Sequence, residues 1–207
     1  MTTEIWSAFL LAALIISLSP GSGAVNTMSN GIRYGVRRTL PSILGLQLGL
    51  AAQILLVGIG LGTLIATSNT AFSIIKWLGV AYLLWLGYRK WTHPPLALET
   101  AEERGGNAGR RFWEAAFINL TNPKATVFLI ALFPLFIDPR GPKLPQFAAM
   151  GATLIAVDTF VMLGYATLSS SLSMWLHSER HQHLLNRLFG SLFIVAAALM
   201  AGYNRSS

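Results

Sequence analysis

The sequence contains no cysteine and few charged residues. Among its 207 residues, Asp, Glu, Lys and Arg together make up 11%, whereas hydrophobic residues make up 53%. The absence of cysteine excludes disulfides, thiolate metal sites and thiol redox chemistry. Soluble domains usually carry about one quarter charged residues, and a soluble core cannot hide this much apolar surface. The composition therefore excludes an ordinary soluble protein.

The few charges leave long uncharged segments between them. No charge occurs from Ile5 to Ile32 or from Thr39 to Ile75, and only Asp158 lies between Leu144 and Ser178. These segments are longer than the roughly 20 residues that cross a hydrocarbon core as a helix. We therefore predict an all-α integral membrane protein. The net charge of +7 does not indicate nucleic-acid binding, because the basic residues lie in short connectors between apolar segments.

The apolar stretch near the N-terminus is interpreted as a retained first helix and not as a cleaved signal peptide. It follows Glu4 and has no Lys or Arg before it. We predict six membrane spans: about Ile5 to Met28, Leu40 to Ile65, Phe72 to Tyr88, Trp113 to Ile137, Pro145 to Leu172, and Leu188 to Tyr203. They form one transporter domain, with three spans in residues 1–91, a cytoplasmic loop at 92–111, and three spans in 112–207.

The basic residues predict which side of the membrane each connector faces. The connectors after the first, third and fifth spans hold ten Lys and Arg residues, whereas the opposite side holds four. Because connectors rich in Lys and Arg stay in the cytoplasm, both termini are predicted to lie outside. Three spans per half make the halves enter the membrane from opposite faces, as inverted repeats require.

The first span of each half is interrupted. Ser19-Pro20-Gly21-Ser22-Gly23 breaks the first span, and Asn119-Leu120-Thr121-Asn122-Pro123-Lys124 breaks the fourth. Interruptions at corresponding positions of two repeats are a sequence indicator of a transporter binding site. The predicted substrate-binding residues are Ser19, Pro20, Gly21, Gly23, Asn26, Asn119, Asn122, Pro123 and Lys124.

Each break also has a simpler explanation. The first could be a proline kink filled by a neighbouring helix. The second could be a cap for a helix that starts at Pro123, with the long side chain of Lys124 reaching the cytoplasmic interface. Even then, the N–H groups at a helix start favour an anion such as a carboxylate.

Asp158 is the one acidic residue deep inside a predicted span. It lies about 20 Å from either end of that span, too far to reach an interface. An ionisable group at such depth is a functional candidate by default, and a carboxyl there can exchange a proton near neutral pH. The alternative is a neutral carboxyl that hydrogen-bonds to a neighbouring helix. We predict that Asp158 carries the coupling proton.

Other polar and small residues favour structural roles. The G-x-x-x-G pairs Gly45/Gly49 and Gly58/Gly62 predict close packing between helices, or a homodimer through these faces. Gln47 and Gln53 are interpreted as interhelical hydrogen bonds. The residues His177, His181 and His183 are expected to be solvated, because their spacing does not fit H-E-x-x-H. No enzyme motif, cofactor motif or metal site is recognised, so we predict neither enzymatic activity nor a cofactor.

Taken together, these motifs resemble the LysE/RhtB family of amino-acid exporters. The similarity rests on Leu18 to Ala24 with Asn26, on Asn119 to Lys124, and on Trp77-Leu78-Gly79 with Trp85-Leu86-Gly87. It extends to Phe133-Pro134 and Gly190-Ser191-Leu192-Phe193, and within the family it is strongest with the homoserine and homoserine lactone exporters. The resemblance implies a bacterial inner-membrane exporter of small amino acids, driven by proton entry.

From these features we predict alternating access around a site between the two breaks. The substrate carboxylate would face the helix start at Gly21 to Ala24 and Lys124, and its ammonium would face carbonyls freed by the two prolines. Asn119 or Asn122 would bind a side-chain hydroxyl. The sequence does not set the direction of transport, so an uptake carrier or a channel-like facilitator of the same fold remains an alternative.

Overall fold

A computed structural model describes residues 3–67, 69–92, 107–137, 141–169, 171 and 178–202, and these residues form helices without any strand. The prediction of an all-α protein is therefore confirmed. The helices are α1 (Thr3–Leu18), α2 (Ser22–Thr67), α3 (Asn69–Thr92), α4 (Ala108–Leu120), α5 (Pro123–Phe136), α6 (Lys143–Thr167) and α7 (Glu179–Gly202). Most of the loop predicted at 92–111, together with His177 and Tyr203, lies outside the described residues.

Gly35 divides α2 into two helical parts. A straight helix of its 46 residues would be about 69 Å long, more than twice the thickness of a hydrocarbon core. Gly35 has φ 73° and ψ 167°, a conformation that is essentially restricted to glycine. Residues 22–34 therefore continue the broken first span past its predicted end at Met28, and residues 36–67 form the next helix.

The two predicted interruptions are present as breaks between helices. Residues 19–21 separate α1 from α2, and Thr121 and Asn122 separate α4 from α5, whose axes differ by 48°. By length and composition, two stretches of the described helices can each cross a membrane, Ser22–Gly60 and Lys143–Thr167. A third crossing results if α4 and α5 count as one bent span. The chain is thus multi-pass, while the count of six spans stays a prediction.

The glycines of α2 allow close packing inside the chain. α2 packs against α4 and α6, α3 packs against α7, and α1 packs against α6. A Cβ at Gly45 would overlap the backbone of Phe112, and a Cβ at Gly49 would overlap the backbone of Ala116. The helix surface at both glycines is covered by α4 of the same chain, so it is not available for contact with a second copy of the protein. The predicted homodimer has no support from this pair.

Two apolar clusters fill the interior of the bundle. The aromatic cluster contains Phe9, Phe133, Phe136 and Phe147, whose rings meet edge-on at centroid distances of 5.2 to 5.4 Å. The methionine cluster contains Met28, Ile43, Leu46, Ala115 and Met162. Large apolar side chains on the outside remain exposed, among them Leu55 at 65% and Ile59 at 73%. Such an outer surface suits contact with lipid.

Candidate functional site

A small cavity with both polar and apolar lining lies between the two apolar clusters. Its volume is about 40 Å³, enough for about three water molecules. Its apolar lining comes from both clusters, with Leu50 and Phe128 on the aromatic side and Leu46 and Met162 on the methionine side. Its polar lining consists of Ser17, Ser19, Asn119, Asn122, Lys124 and Asp158. These side chains come from the two breaks and from α6.

The first break exposes the carbonyl end of α1, and side chains of three other helices bind it. The Lys124 ammonium of α5 donates to the carbonyls of Ile16 at 2.9 Å and Ser19 at 2.6 Å. The Tyr165 hydroxyl of α6 donates to Leu18 O at 2.7 Å, and Lys90 Nζ of α3 donates to Pro20 O at 3.1 Å. Helix ends leave their last carbonyls without partners. Here side-chain donors supply those partners inside the bundle.

The second break is a capped helix start. The Asn122 side chain accepts a hydrogen bond from Lys124 N at 3.0 Å, and Pro123 follows at the first helical position. The carbonyl of Leu120 accepts from Gln53 Nε2 at 2.9 Å, and Asn122 O, which also accepts from Thr126 N, lies 3.3 Å from the same amide nitrogen. The amide that serves these carbonyls therefore belongs to α2.

The Lys124 side chain points into the bundle. Its ammonium binds carbonyls of the first break, so the side chain is directed across the bundle from α5 to the end of α1. The predicted helix cap is present as well, since Asn122 and Pro123 form the start of α5. Both features coexist because the cap sets the direction of α5 while the lysine extends across the cavity.

Asp158 lies near the middle of α6 and accepts a hydrogen bond from Gln47 Nε2 of α2 at 2.9 Å. The interhelical hydrogen bond predicted for Gln47 is thus present, but the sequence did not identify Asp158 as its partner. An intramembrane amide alone carries no signal for such a role, because only the register between α2 and α6 brings it to the carboxyl group.

Three of the predicted site residues do not line the cavity. Asn26 donates to Ser42 Oγ at 2.9 Å, which ties the two parts of α2 together. Pro123 is exposed, and Pro20 contributes its carbonyl to Lys90 outside the cavity lining. The remaining seven predicted residues surround one cavity: Ser19, Gly21, Gly23, Asn119, Asn122, Lys124 and Asp158.

The site retains polar atoms that can bind a ligand. Ser19 is 0% exposed, lines the cavity and has no hydrogen-bond partner at its Oγ, and next to the cavity the Oε1 atom of Gln47, the partner of Asp158, also lacks one. Buried polar groups are normally satisfied, so such atoms are suited to a polar solute or water. Within the described part of the chain, no group of three His, Cys, Asp or Glu residues could hold a metal ion.

The fold and the cavity together define a multi-pass helical membrane protein with a polar site at two broken helices. The chain belongs to the LysE type translocator family, which it matches over residues 14–203. It is 50% identical to a homoserine/homoserine lactone efflux protein of Salmonella typhimurium over 97% of this chain and 98% of that protein. The family is one of translocators, and the protein is a multi-pass protein of the bacterial inner membrane.

Other relatives are more distant or have less informative names. An uncharacterized membrane protein of Vibrio cholerae is 48% identical over 97% of this chain and 98% of its own. A leucine efflux protein of Enterobacter sp. is 28% identical over 93% of both chains. No solved structure matches the chain. The resemblance noted in the sequence is thus confirmed at the level of the family.

Proposed function

We propose that this protein exports small amino acids and their derivatives, such as homoserine, homoserine lactone and threonine-like compounds, in exchange for protons. The observation that carries the proposal is the cavity between the two helix breaks. It combines backbone carbonyls, two asparagines, a lysine and an intramembrane carboxyl group. A small zwitterion requires such a mixture of donors and acceptors in a water-poor site.

The ammonium group is the feature on which recognition depends. The Salmonella relative is named for homoserine and homoserine lactone. Both compounds carry a primary ammonium group, but the lactone has no carboxylate. The carbonyls of Ile16 and Ser19 lie at the negative end of the α1 dipole and already hold one ammonium, that of Lys124. We assign the substrate ammonium to these carbonyls, and the oxygen atoms of the substrate to Asn119 and Asn122.

Asp158 is the proposed carrier of the proton. It lines the same cavity as Lys124, and its partner Gln47 leaves one side-chain oxygen free. Intramembrane carboxyl groups commonly mark proton routes. One inward proton per outward zwitterion is worth about 2.3 kcal/mol per 100 mV of membrane potential, which is enough to drive uphill export.

Four contacts between helices fit two inverted repeats, whereas the α3–α5 and α2–α3 contacts have no counterpart of similar extent among the described residues. A twofold operation that exchanges the halves pairs α1 with α4, residues 36–67 with α6, and α3 with α7. It converts the packing of α2 on α4 into that of α6 on α1, and both contacts are present. It maps the α3–α7 and α2–α6 contacts onto themselves, and these are present too. Inverted repeats are the common basis of alternating access.

The two apolar clusters fit the role of gates. The cavity is too small for an amino acid while both clusters are packed, so one cluster has to loosen to admit substrate. With the termini outside, the aromatic cluster seals the outer side and the methionine cluster seals the cytoplasmic side. Alternating loosening of the two clusters gives a carrier, whereas simultaneous loosening gives a channel.

Purified protein in proteoliposomes tests the proposal. An imposed pH gradient should drive accumulation of labelled homoserine, and Asp158→Asn should abolish that accumulation while leaving the thermal stability within a few degrees. Homoserine flux that only equilibrates, with or without the gradient, would indicate a channel-like facilitator. Unchanged proton-driven accumulation in Asp158→Asn would remove this residue from the coupling role. The same vesicles distinguish uptake from export by the direction of the gradient that drives accumulation.

A further inference from the structure

Lys124 occupies the carbonyls that the substrate ammonium needs. Its Nζ atom lies 2.9 Å from Ile16 O and 2.6 Å from Ser19 O, both good hydrogen-bond distances. Building on the proposed function, we propose that Lys124 is a tethered competitor of the substrate. Its ammonium holds these carbonyls in the empty carrier and leaves them when a substrate ammonium binds.

Two further observations indicate that these carbonyls form a site and not merely a helix end. The Ser19 hydroxyl is fully buried, lines the cavity and has no hydrogen-bond partner. The Lys124 side chain also fills the space in front of Gly21, where an added Cβ would lie 3.3 Å from Nζ. Withdrawal of the lysine therefore exposes two carbonyls and a free hydroxyl, and it enlarges the cavity on the same side.

Asp158 is the group that can receive the displaced ammonium. In the structure the two residues line one cavity but bind other partners, Lys124 the carbonyls of α1 and Asp158 the amide of Gln47. Among the described residues, the other ionisable groups that contact this region are Tyr165 of α6 and Lys90 of α3, and both are bound to backbone carbonyls near the first break. When Lys124 leaves the carbonyls of α1, its ammonium can therefore form an ion pair with the Asp158 carboxylate.

This arrangement links substrate release to proton binding. When Asp158 is ionised, it holds the displaced Lys124, and the substrate keeps the carbonyls. When Asp158 binds a proton, Lys124 loses its partner, returns to Ile16 O and Ser19 O, and expels the substrate ammonium. No covalent step is involved. Binding of one proton at Asp158 releases one substrate molecule.

Equilibrium binding of labelled homoserine and homoserine lactone to the purified protein tests the competition. When a competing group occupies a site, the apparent affinity of the ligand is the intrinsic affinity multiplied by the fraction of protein in which the site is free. Lys124→Met should therefore bind both compounds about tenfold or more tightly than the unchanged protein. The matched control is Lys76→Met, which removes a buried lysine that likewise donates to a backbone carbonyl, that of Ala201. It should leave both affinities within about twofold, since Lys76 is not part of the cavity lining.

The two ligands separate competition from direct recognition. If Lys124 binds the substrate carboxylate, Lys124→Met weakens homoserine binding and leaves lactone binding unchanged, and the proposal is overturned. Unchanged affinity for both compounds also overturns it. Lys124→Arg keeps a cation on the carbonyls and should bind as weakly as the unchanged protein.

Methylammonium gives a readout that does not depend on amino-acid transport. It should raise the melting temperature of Lys124→Met by occupying the vacated carbonyls, and it should leave the unchanged protein unaffected. If the unchanged protein binds neither homoserine nor the lactone, the proposed function fails, whereas the methylammonium result still decides the role of Lys124.

The unchanged protein provides a check if Lys124→Met does not fold. The chain has four lysines, so isotope-labelled lysine side chains give four resolvable ammonium signals by NMR. Saturation with homoserine lactone should shift the Lys124 signal, identified through Lys124→Arg, and should leave the Lys76 signal in place. A Lys124 signal that does not move while the lactone binds would overturn the proposal.

Discussion

Gln47 and Gln53 are both buried amides of α2, yet they serve different groups. Gln47 donates to the Asp158 carboxylate, whereas Gln53 donates to Leu120 O, Asn122 O and Thr126 Oγ1 at the second break. The first contact involves the proposed proton carrier, and the others hold two helices together. The sequence predicts interhelical hydrogen bonds for both residues, but it does not reveal which partner each one reaches.

We predict different consequences for the same substitution at these two residues. Gln47→Leu should lower proton-driven transport about tenfold, the effect of losing one hydrogen bond to a charged group. Gln53→Leu should destabilise the protein by about 1–3 kcal/mol, because buried carbonyls lose their donor. Transport assays and thermal unfolding of the two variants provide the measurement. Equal losses of stability without a change in coupling would contradict the assignment of Gln47.

At the scale of the helices, the sequence predicts most of what local chemistry determines. Pro20 and Pro123 fix the two breaks, and Asn122 fixes the start of α5. The turn at Gly35 falls within the connector predicted between Met28 and Leu40, but the sequence did not predict that this single residue interrupts otherwise continuous helix. The partners of Lys124 were also missed, since they are backbone carbonyls contributed by a helix more than 100 residues away in the chain.

Close packing between α2 and α4 depends on the absence of side chains at two glycines. Gly45→Ala or Gly49→Ala would push a methyl group into the backbone of α4, which cannot move aside, and should destabilise the protein by about 1–3 kcal/mol. Gly60 is the matched control on the same helix, because nothing lies within 4 Å of its added Cβ. Gly60→Ala should leave the melting temperature unchanged or slightly higher. A similar loss at Gly60 would show that helix flexibility, and not packing, is responsible.

At the turn, glycine is required at residue 35 for its backbone conformation and not for close packing. An added Cβ would meet no atom within 4 Å, but the positive φ angle itself is unfavourable for a residue with a side chain. Gly35→Ala should therefore destabilise the protein by about 1–3 kcal/mol through backbone strain alone. Thermal unfolding of this variant and of Gly60→Ala measures the difference. Equal stability of the two would contradict a fixed turn between residues 22–34 and 36–67.

For the whole molecule, the uneven distribution of charge predicts how the chain is oriented. The excess of Lys and Arg in alternate connectors predicts external termini, and the six predicted spans place three crossings between the start of α1 and the start of α4. The prediction therefore places these two helix starts on opposite sides of the membrane. Inverted repeats require this result, because an even number of crossings per half would give both halves the same orientation.

The absence of cysteine makes this arrangement directly measurable. Thr3 and Ala108 are exposed at the starts of α1 and α4, and Lys143 is exposed at the start of α6. A single cysteine at each residue has no native thiol as background. A membrane-impermeant maleimide should label Thr3→Cys and Lys143→Cys in intact cells, but Ala108→Cys only after permeabilisation. Labelling of Thr3→Cys and Ala108→Cys from the same side would rule out the inverted repeat, and with it the alternating exposure of a cavity shared by the two breaks.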